Sequence, residues 1–147
     1  MNPRELFTIG YEGRNLDEFV LYLKSFHVRR LIDIREIPLS RKKGFSKSVL
    51  KSRLESENIE YVHFRSLGSP SQIRHKLKAD LDYEDFFRSY TEHLLLNSNS
   101  LLEAIRYIDE GLSCLMCFER TPENCHRSIV AQKILEIEGH KIQVRHI

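Results

Sequence analysis

What most constrains this chain is an alternation. Short apolar, β-branched runs recur between stretches whose apolar residues return at helical spacing, the pattern of a parallel sheet joined by crossover helices. The first run, Leu6-Phe7-Thr8-Ile9, stops at Gly10, a residue that frees the backbone to turn. Asn15 followed by Glu18 has capping-box spacing, and Leu16, Phe19, Val20 and Leu23 make one helical face. Residues 30–34 supply the next strand, Ser46 caps a helix to residue 54 with Val49 and Leu50 inward, and residues 59–64 return as a strand.

Residues 83–96 and 101–110 read as helices, the first with Phe86, Phe87, Tyr90 and Leu94 inward, the second with Leu101, Leu102, Ile105 and Ile108. Residues 113–118 read as a central strand, 128–138 as a helix burying Ile129, Ile134, Leu135 and Ile137, and 141–147 as a last strand. Between Leu67-Gly68 and Asp82 no period emerges, and Ser69-Pro70-Ser71 favours a turn. The expectation is a compact single α/β domain over residues 1–147 with a mainly parallel, Rossmann-like sheet.

A chain of 147 residues with 41% hydrophobic content suits one such domain. It has no apolar run of the roughly 18 residues a membrane span needs and opens without a secretory signal, so a cytoplasmic location is expected and a membrane partner is not. Three cysteines, an odd number, read as reduced thiols. A formal charge of +2 is too mild to demonstrate nucleic-acid binding. An anionic metabolite, a nucleotide or a nucleic acid therefore stand together as expected partners, and the oligomeric state is not legible.

In an open parallel sheet ligands meet the carboxyl ends of strands. Gly10-Tyr11 follows the first strand, Asp33 and Arg35 straddle the end of the second, and Cys117, Glu119 and Arg120 follow the strand that begins at Ser113. Thr121-Pro122 reads as a helix entry, which brings Cys125, His126 and Arg127 near a positive helix end. A thiolate there is stabilised and can attack an electrophile, histidine can move a proton, and arginine can hold an oxyanion. The catalytic candidates are Cys117, Glu119, Cys125 and His126; the substrate or anion-binding candidates are Tyr11, Asp33, Arg35, Ser40, Arg41, Arg120 and Arg127. Each also has a structural reading: a buried thiol, an ion pair or a helix-start residue. The functional expectation is a cysteine-dependent enzyme acting on an anionic, phosphorylated or nucleotide-like substrate, with a non-enzymatic nucleotide or nucleic-acid binding domain as the alternative.

The loop Ser40-Arg41-Lys42-Lys43 could contact phosphates, and Tyr61, His63, Phe64 and Arg65 could add a base-stacking or basic surface. Cys114, Cys117, Cys125 and His126 have zinc-ligand chemistry in the order C-x2-C-x7-C-H. Cys114 and Cys117 lie on one strand with side chains facing opposite ways, so structural zinc is disfavoured and the cofactor is left unknown. The chain has neither G-x-G-x-x-G nor a P-loop, and Cys117 to Arg127 is not the short Cys-to-Arg loop of a cysteine phosphatase.

Thr8-Ile9-Gly10-Tyr11-Glu12-Gly13, Asp33-Ile34-Arg35-Glu36-Ile37-Pro38-Leu39-Ser40-Arg41, Leu67-Gly68, Met116-Cys117-Phe118-Glu119-Arg120 and Cys125-His126-Arg127-Ser128 together resemble the uncharacterised DUF488 family over nearly the whole chain. The resemblance implies a compact α/β fold whose prominent polar positions are Asp33, Arg35, Ser40, Arg41, Cys117, Glu119, Cys125, His126 and Arg127, and it carries no assigned reaction. The family often has histidine where this chain has Tyr11 and a smaller residue where it has Phe118.

Overall fold

The structure, a computed structural model, describes residues 4–147, with the side chain of His140 set aside. The first three residues, on which part of the expectation about a leader falls, lie outside the described residues. Five parallel strands form one sheet in the order β3-β2-β4-β1-β5. These are β1 (Arg4–Gly10), β2 (Arg30–Asp33), β3 (Glu60–His63), β4 (Ser113–Cys117) and β5 (Ile142–His146). The expected α/β domain with a mainly parallel sheet is what the chain forms.

Six α-helices complete the described fold: α1 (Leu16–Ser25), α2 (Lys47–Ser56), α3 (Ser71–Asp80), α4 (Tyr83–Leu96), α5 (Ser98–Glu110) and α6 (Arg127–Glu138). Two cores result, one on each face of the sheet. Phe19, Val20 and Leu23 of α1 and Leu50 and Leu54 of α2 pack with Phe7, Ile9, Cys114 and Met116 on one side. Tyr90 and Leu94 of α4, Leu101, Ala104, Ile105 and Ile108 of α5, and Val130, Ala131 and Ile134 of α6 pack with Leu6, Ile32 and Leu115 on the other. The alternation of Cys114 and Met116 against Leu115 along β4 is the two-residue period of a strand covered on both faces.

The Asn15 side chain accepts from the Glu18 amide and caps α1, as its spacing predicts. Ser46 stands at the N-cap of α2, but its hydroxyl donates to the Ser40 carbonyl instead of capping. Val49, Leu102 and Ile137, assigned inward by period, are exposed; each lies at the margin of its helix's apolar stripe, where one residue of rotation decides the side. The segment without a period contains α3, which has no buried residue and so gives a pattern reader no apolar stripe. Thr121-Pro122 starts only a 3₁₀ turn (Pro122–Asn124); Cys125 then returns to extended backbone, and α6 begins at Arg127.

Candidate functional site

The helices that follow β1 and β2 cover one face of the sheet, whereas the helix that follows β4 covers the other. Chain directions diverge on either side of β4, and the carboxyl end of that strand opens a crevice of the sort that binds ligands in doubly wound sheets. Cys117 is the last residue of β4 and pairs in register with Gly10. Residues 118–120 cross directly over Gly10: a Cβ there would stand 1.8 Å from the Glu119 carbonyl oxygen. Gly68 gives the same clearance to the segment after β2, since its Cβ would stand 2.1 Å from the Glu36 nitrogen. Both glycines let a site loop close on the scaffold.

At the floor of the crevice Cys117 is joined to Cys125 by a disulfide, eight residues on. His126 follows, with its Nε2–H donating to the Ile34 carbonyl at 2.7 Å and Nδ1 left facing Cys125 Sγ at 3.7 Å. That assignment is forced, since a carbonyl can only accept. Tyr90 packs edge-on against the imidazole and donates its hydroxyl to the Leu67 carbonyl at 2.5 Å. Burial holds His126 down to about 4, so the ring is neutral at ordinary pH.

Arg127 is 1% exposed. Its guanidinium donates to Thr8 Oγ1 at 3.1 Å, to Cys117 Sγ at 3.2 Å and to the carbonyls of Glu119 and Arg120, while its backbone N–H donates to Cys125 Sγ at 3.4 Å. None of these partners is a carboxylate. Thr8 in turn meets His146 Nδ1 at 2.5 Å. Burial and then the Arg127 charge hold the His146 pKa down.

The other predicted residues divide. Asp33 is fully buried and takes a bidentate contact from Arg35 at 2.9 and 2.7 Å, with the Tyr61 hydroxyl donating to Asp33 Oδ2 at 2.5 Å. Arg35 also donates to the Phe45 carbonyl and the Tyr11 hydroxyl. Burial pulls the Arg35 pKa down, and the hydrogen bonds and charge of Asp33 outweigh it, so the net shift is upward. Tyr11 stacks on Phe45 at 4.6 Å and takes the edge of Phe118. Ser40 closes a turn, its Oγ accepting from the Lys42 amide. Arg41 and Arg120 are exposed, and Arg120 gives its backbone N–H to Glu12. Tyr61 and Phe64, read as a base-stacking surface, are buried in the two cores; their aromatic area serves packing.

A cleft of about 560 Å³ lies over this floor, reached by Cys117, Glu119 and His126. Asp33, Ser40, Arg41, Arg120, Cys125 and Arg127 do not line it. Tyr11, Ile37, Leu39, Leu77, Leu81, Phe86 and Phe118 make its walls largely apolar. Of its cations, Arg35 is paired with Asp33 and Arg74 with Glu36, leaving Lys78. Glu119 is on the wall, and burial raises its carboxyl pKa. Arg74, Leu77 and Lys78 come from α3 and were invisible to sequence reading, because the helix that carries them has no apolar stripe; Glu36 sits beside a predicted residue and was legible only as its neighbour.

The expectation against zinc requires correction. Cys114 does face away from Cys117, among the residues of the opposite core, and burial raises its thiol pKa. The ligand atoms of Cys117, Cys125 and His126 nevertheless lie within 4.8 Å of one another without it. A strand's alternation rules out the first cysteine of the motif, not the site, since the other three ligands converge without it.

No helix among the described residues is long and apolar enough to cross a membrane. The model of a family described as a domain of unknown function, DUF488, matches residues 15–134. No curated protein and no solved structure matches the chain.

Proposed function

The chain belongs to the DUF488 family, and we propose that it is a cysteine-dependent enzyme of thiol–disulfide exchange, with Cys117 as the attacking thiolate and Cys125 as its partner. One observation carries this reading: the buried Arg127 guanidinium, bonded to no carboxylate, donates to Cys117 Sγ. A buried cation without a counter-charge is costly. In the reduced protein a Cys117 thiolate supplies that charge, so the same contact that stabilises the fold activates the nucleophile.

The substrate we assign is a disulfide with an apolar body, matched to the cleft walls, and an anionic group drawn to Lys78 and to the field of Arg127. Cys117 S⁻ attacks one substrate sulfur, forming a mixed disulfide and releasing the other as a thiolate. The leaving thiolate takes its proton from Glu119, whose carboxyl burial keeps protonated to higher pH. Cys125 attacks Cys117 Sγ as its proton moves through His126 Nδ1 to the departing sulfur, closing the Cys117–Cys125 disulfide and releasing the second substrate thiol, with the imidazole neutral before and after. Two electrons have moved from protein to substrate. Two equivalents of a small cellular thiol, plentiful in a reducing compartment such as the cytoplasm, leave as their own disulfide and return the pair to the dithiol and the proton to Glu119.

The test uses the reduced, metal-free protein and a small aromatic disulfide bearing a carboxylate, with release of the aromatic thiol followed by absorbance. Reaction at least tenfold faster than a free model thiol at the same pH is expected. Cys117→Ala should abolish it, and Cys125→Ala should accumulate the Cys117 adduct, seen by mass spectrometry. A rate no greater than the model thiol's, or saturable binding of nucleotides with no adduct, overturns the reading and favours a binding module.

A further inference from the structure

We propose that, in the reduced protein, Cys117, Cys125 and His126 bind one zinc ion with a fourth coordination position opening into the cleft. The site rests on the reading that the cysteine pair passes through a dithiol state, but not on its catalysing exchange.

The ligand types are those of zinc, and their count is that of a site with one position left for water or substrate. Their atoms lie within 4.8 Å of one another. Two ligands on one tetrahedral zinc, a sulfur at about 2.3 Å and a nitrogen at about 2.0 Å, stand roughly 3.5 Å apart; Cys125 Sγ and His126 Nδ1 stand 3.7 Å apart.

The surroundings supply an independent observation. Metal ligands are held by outer hydrogen bonds that orient them and tune the ion, and here all three are. His126 donates Nε2–H to the Ile34 carbonyl, which leaves Nδ1 as the ligating atom. Cys117 Sγ receives the Arg127 guanidinium and Cys125 Sγ the Arg127 backbone N–H. Such N–H donors stabilise thiolates. Two thiolates and a neutral imidazole balance the charge of a zinc ion, and the adjacent guanidinium leaves the assembly at +1. The open position, facing a cleft that both Cys117 and His126 line, is thereby matched to an anionic fourth ligand: hydroxide, a carboxylate or a substrate thiolate.

Reduced protein, freed of metal with a chelator and kept under a phosphine reductant, is titrated with cobalt(II) and then zinc(II). Expected are one equivalent of cobalt, with thiolate charge-transfer absorption and the visible bands of a tetrahedral ion, and displacement by one equivalent of zinc. Oxidised protein should bind neither. Cys114→Ser should behave as wild type, whereas Cys125→Ser and His126→Ala should weaken cobalt binding at least a hundredfold while remaining folded by circular dichroism. A folded, reduced wild type that binds no stoichiometric cobalt, or binds it equally in Cys125→Ser or His126→Ala, overturns the site. Exchange activity measured without metal separates the two proposals: activity without cobalt binding removes the zinc site alone, and cobalt binding without activity removes the exchange reaction alone.

Discussion

At His126 burial decides the charge, and the consequence is a stability that depends on pH. The unfolded imidazole takes a proton near 6.5, but the folded one waits until about 4. Between those values the unfolded chain binds more protons than the folded one, so stability falls as pH falls, by roughly 3 kcal/mol across the window. It is fully present above about 6.5. His146, also held down, adds slope of the same sign, Glu119, whose carboxyl burial holds up, opposes it, and Glu36, whose carboxyl is held below its usual range, acts at lower pH. Urea unfolding of the reduced, chelator-treated protein at pH 7, 6 and 5 should therefore show a falling midpoint. His126→Gln retains an amide donor for Ile34 and should lose most of the slope above pH 4.5; an unchanged slope would reassign it to other groups. At this scale sequence reading found the cysteines, His126 and Arg127 but could not tell which arginines were free. Arg35 and Arg127 look alike in a string of letters, and only the partners differ, a carboxylate for one and a sulfur for the other.

Among the elements, the glycines at the strand ends carry a constraint that propensity does not reveal. Neither Gly10 nor Gly68 has positive φ; both are required by clearance, against backbone atoms that no rotamer can move aside. Gly10→Ala must push residues 118–120 off β1, which breaks the Tyr11 and Glu12 amide bonds to the Cys117 and Phe118 carbonyls. A loss of about 3 kcal/mol or more in thermal or urea unfolding is expected, together with loss of cobalt binding in whatever fraction folds. Gly68→Ala should cost a similar amount by displacing Glu36. Gly111→Ala, whose nearest neighbour would be the Arg29 Cβ at 3.8 Å, should change stability by no more than about 0.5 kcal/mol; equal effects at all three positions would refute the clearance argument. The strands β1 and β4 were legible because each is a short apolar run with both faces covered, and α5 because Leu101, Ala104, Ile105 and Ile108 keep helical spacing against one core. The start of α6 was not: Thr121-Pro122 is a sound turn signal, but nothing in it says that the turn ends at once and that Cys125 is extended before the helix begins at Arg127.

Over the whole molecule, alternation was enough to predict a parallel sheet, but strand order was not readable, since it depends on pairings between segments as distant as β1 and β4. That order makes β4 central and collects the site at its end, so the convergence of Cys117, Cys125 and His126 follows from topology and not from any local motif. It also leaves α3 at the margin of one core, which the helix touches through the partly buried Ile73. The helix buries no residue, starts after Pro70 without a side-chain cap, and ends on Leu81 in the left-handed region at φ 54°. Beside Ile73 its ties are polar: Arg74 to Glu36 and the Ser69 carbonyl, Ser71 to Glu36, and Lys76 to Asp85. Exposed pairs of this kind hold a helix weakly, by about 0–1 kcal/mol each, whereas β1 and β4 are secured by apolar contact on two faces. Amides of α3 should exchange hydrogen through local opening, at a free energy well under the global value, while those of β4 exchange only with global unfolding. Arg74→Ala should speed exchange in α3 and leave β4 unchanged. An anionic aromatic disulfide or its thiol product bound in the cleft should slow α3, because Leu77 and Lys78 line the walls and opening would forfeit those contacts. If α3 is protected as strongly as β4 in the free protein, the helix is an integral part of the core.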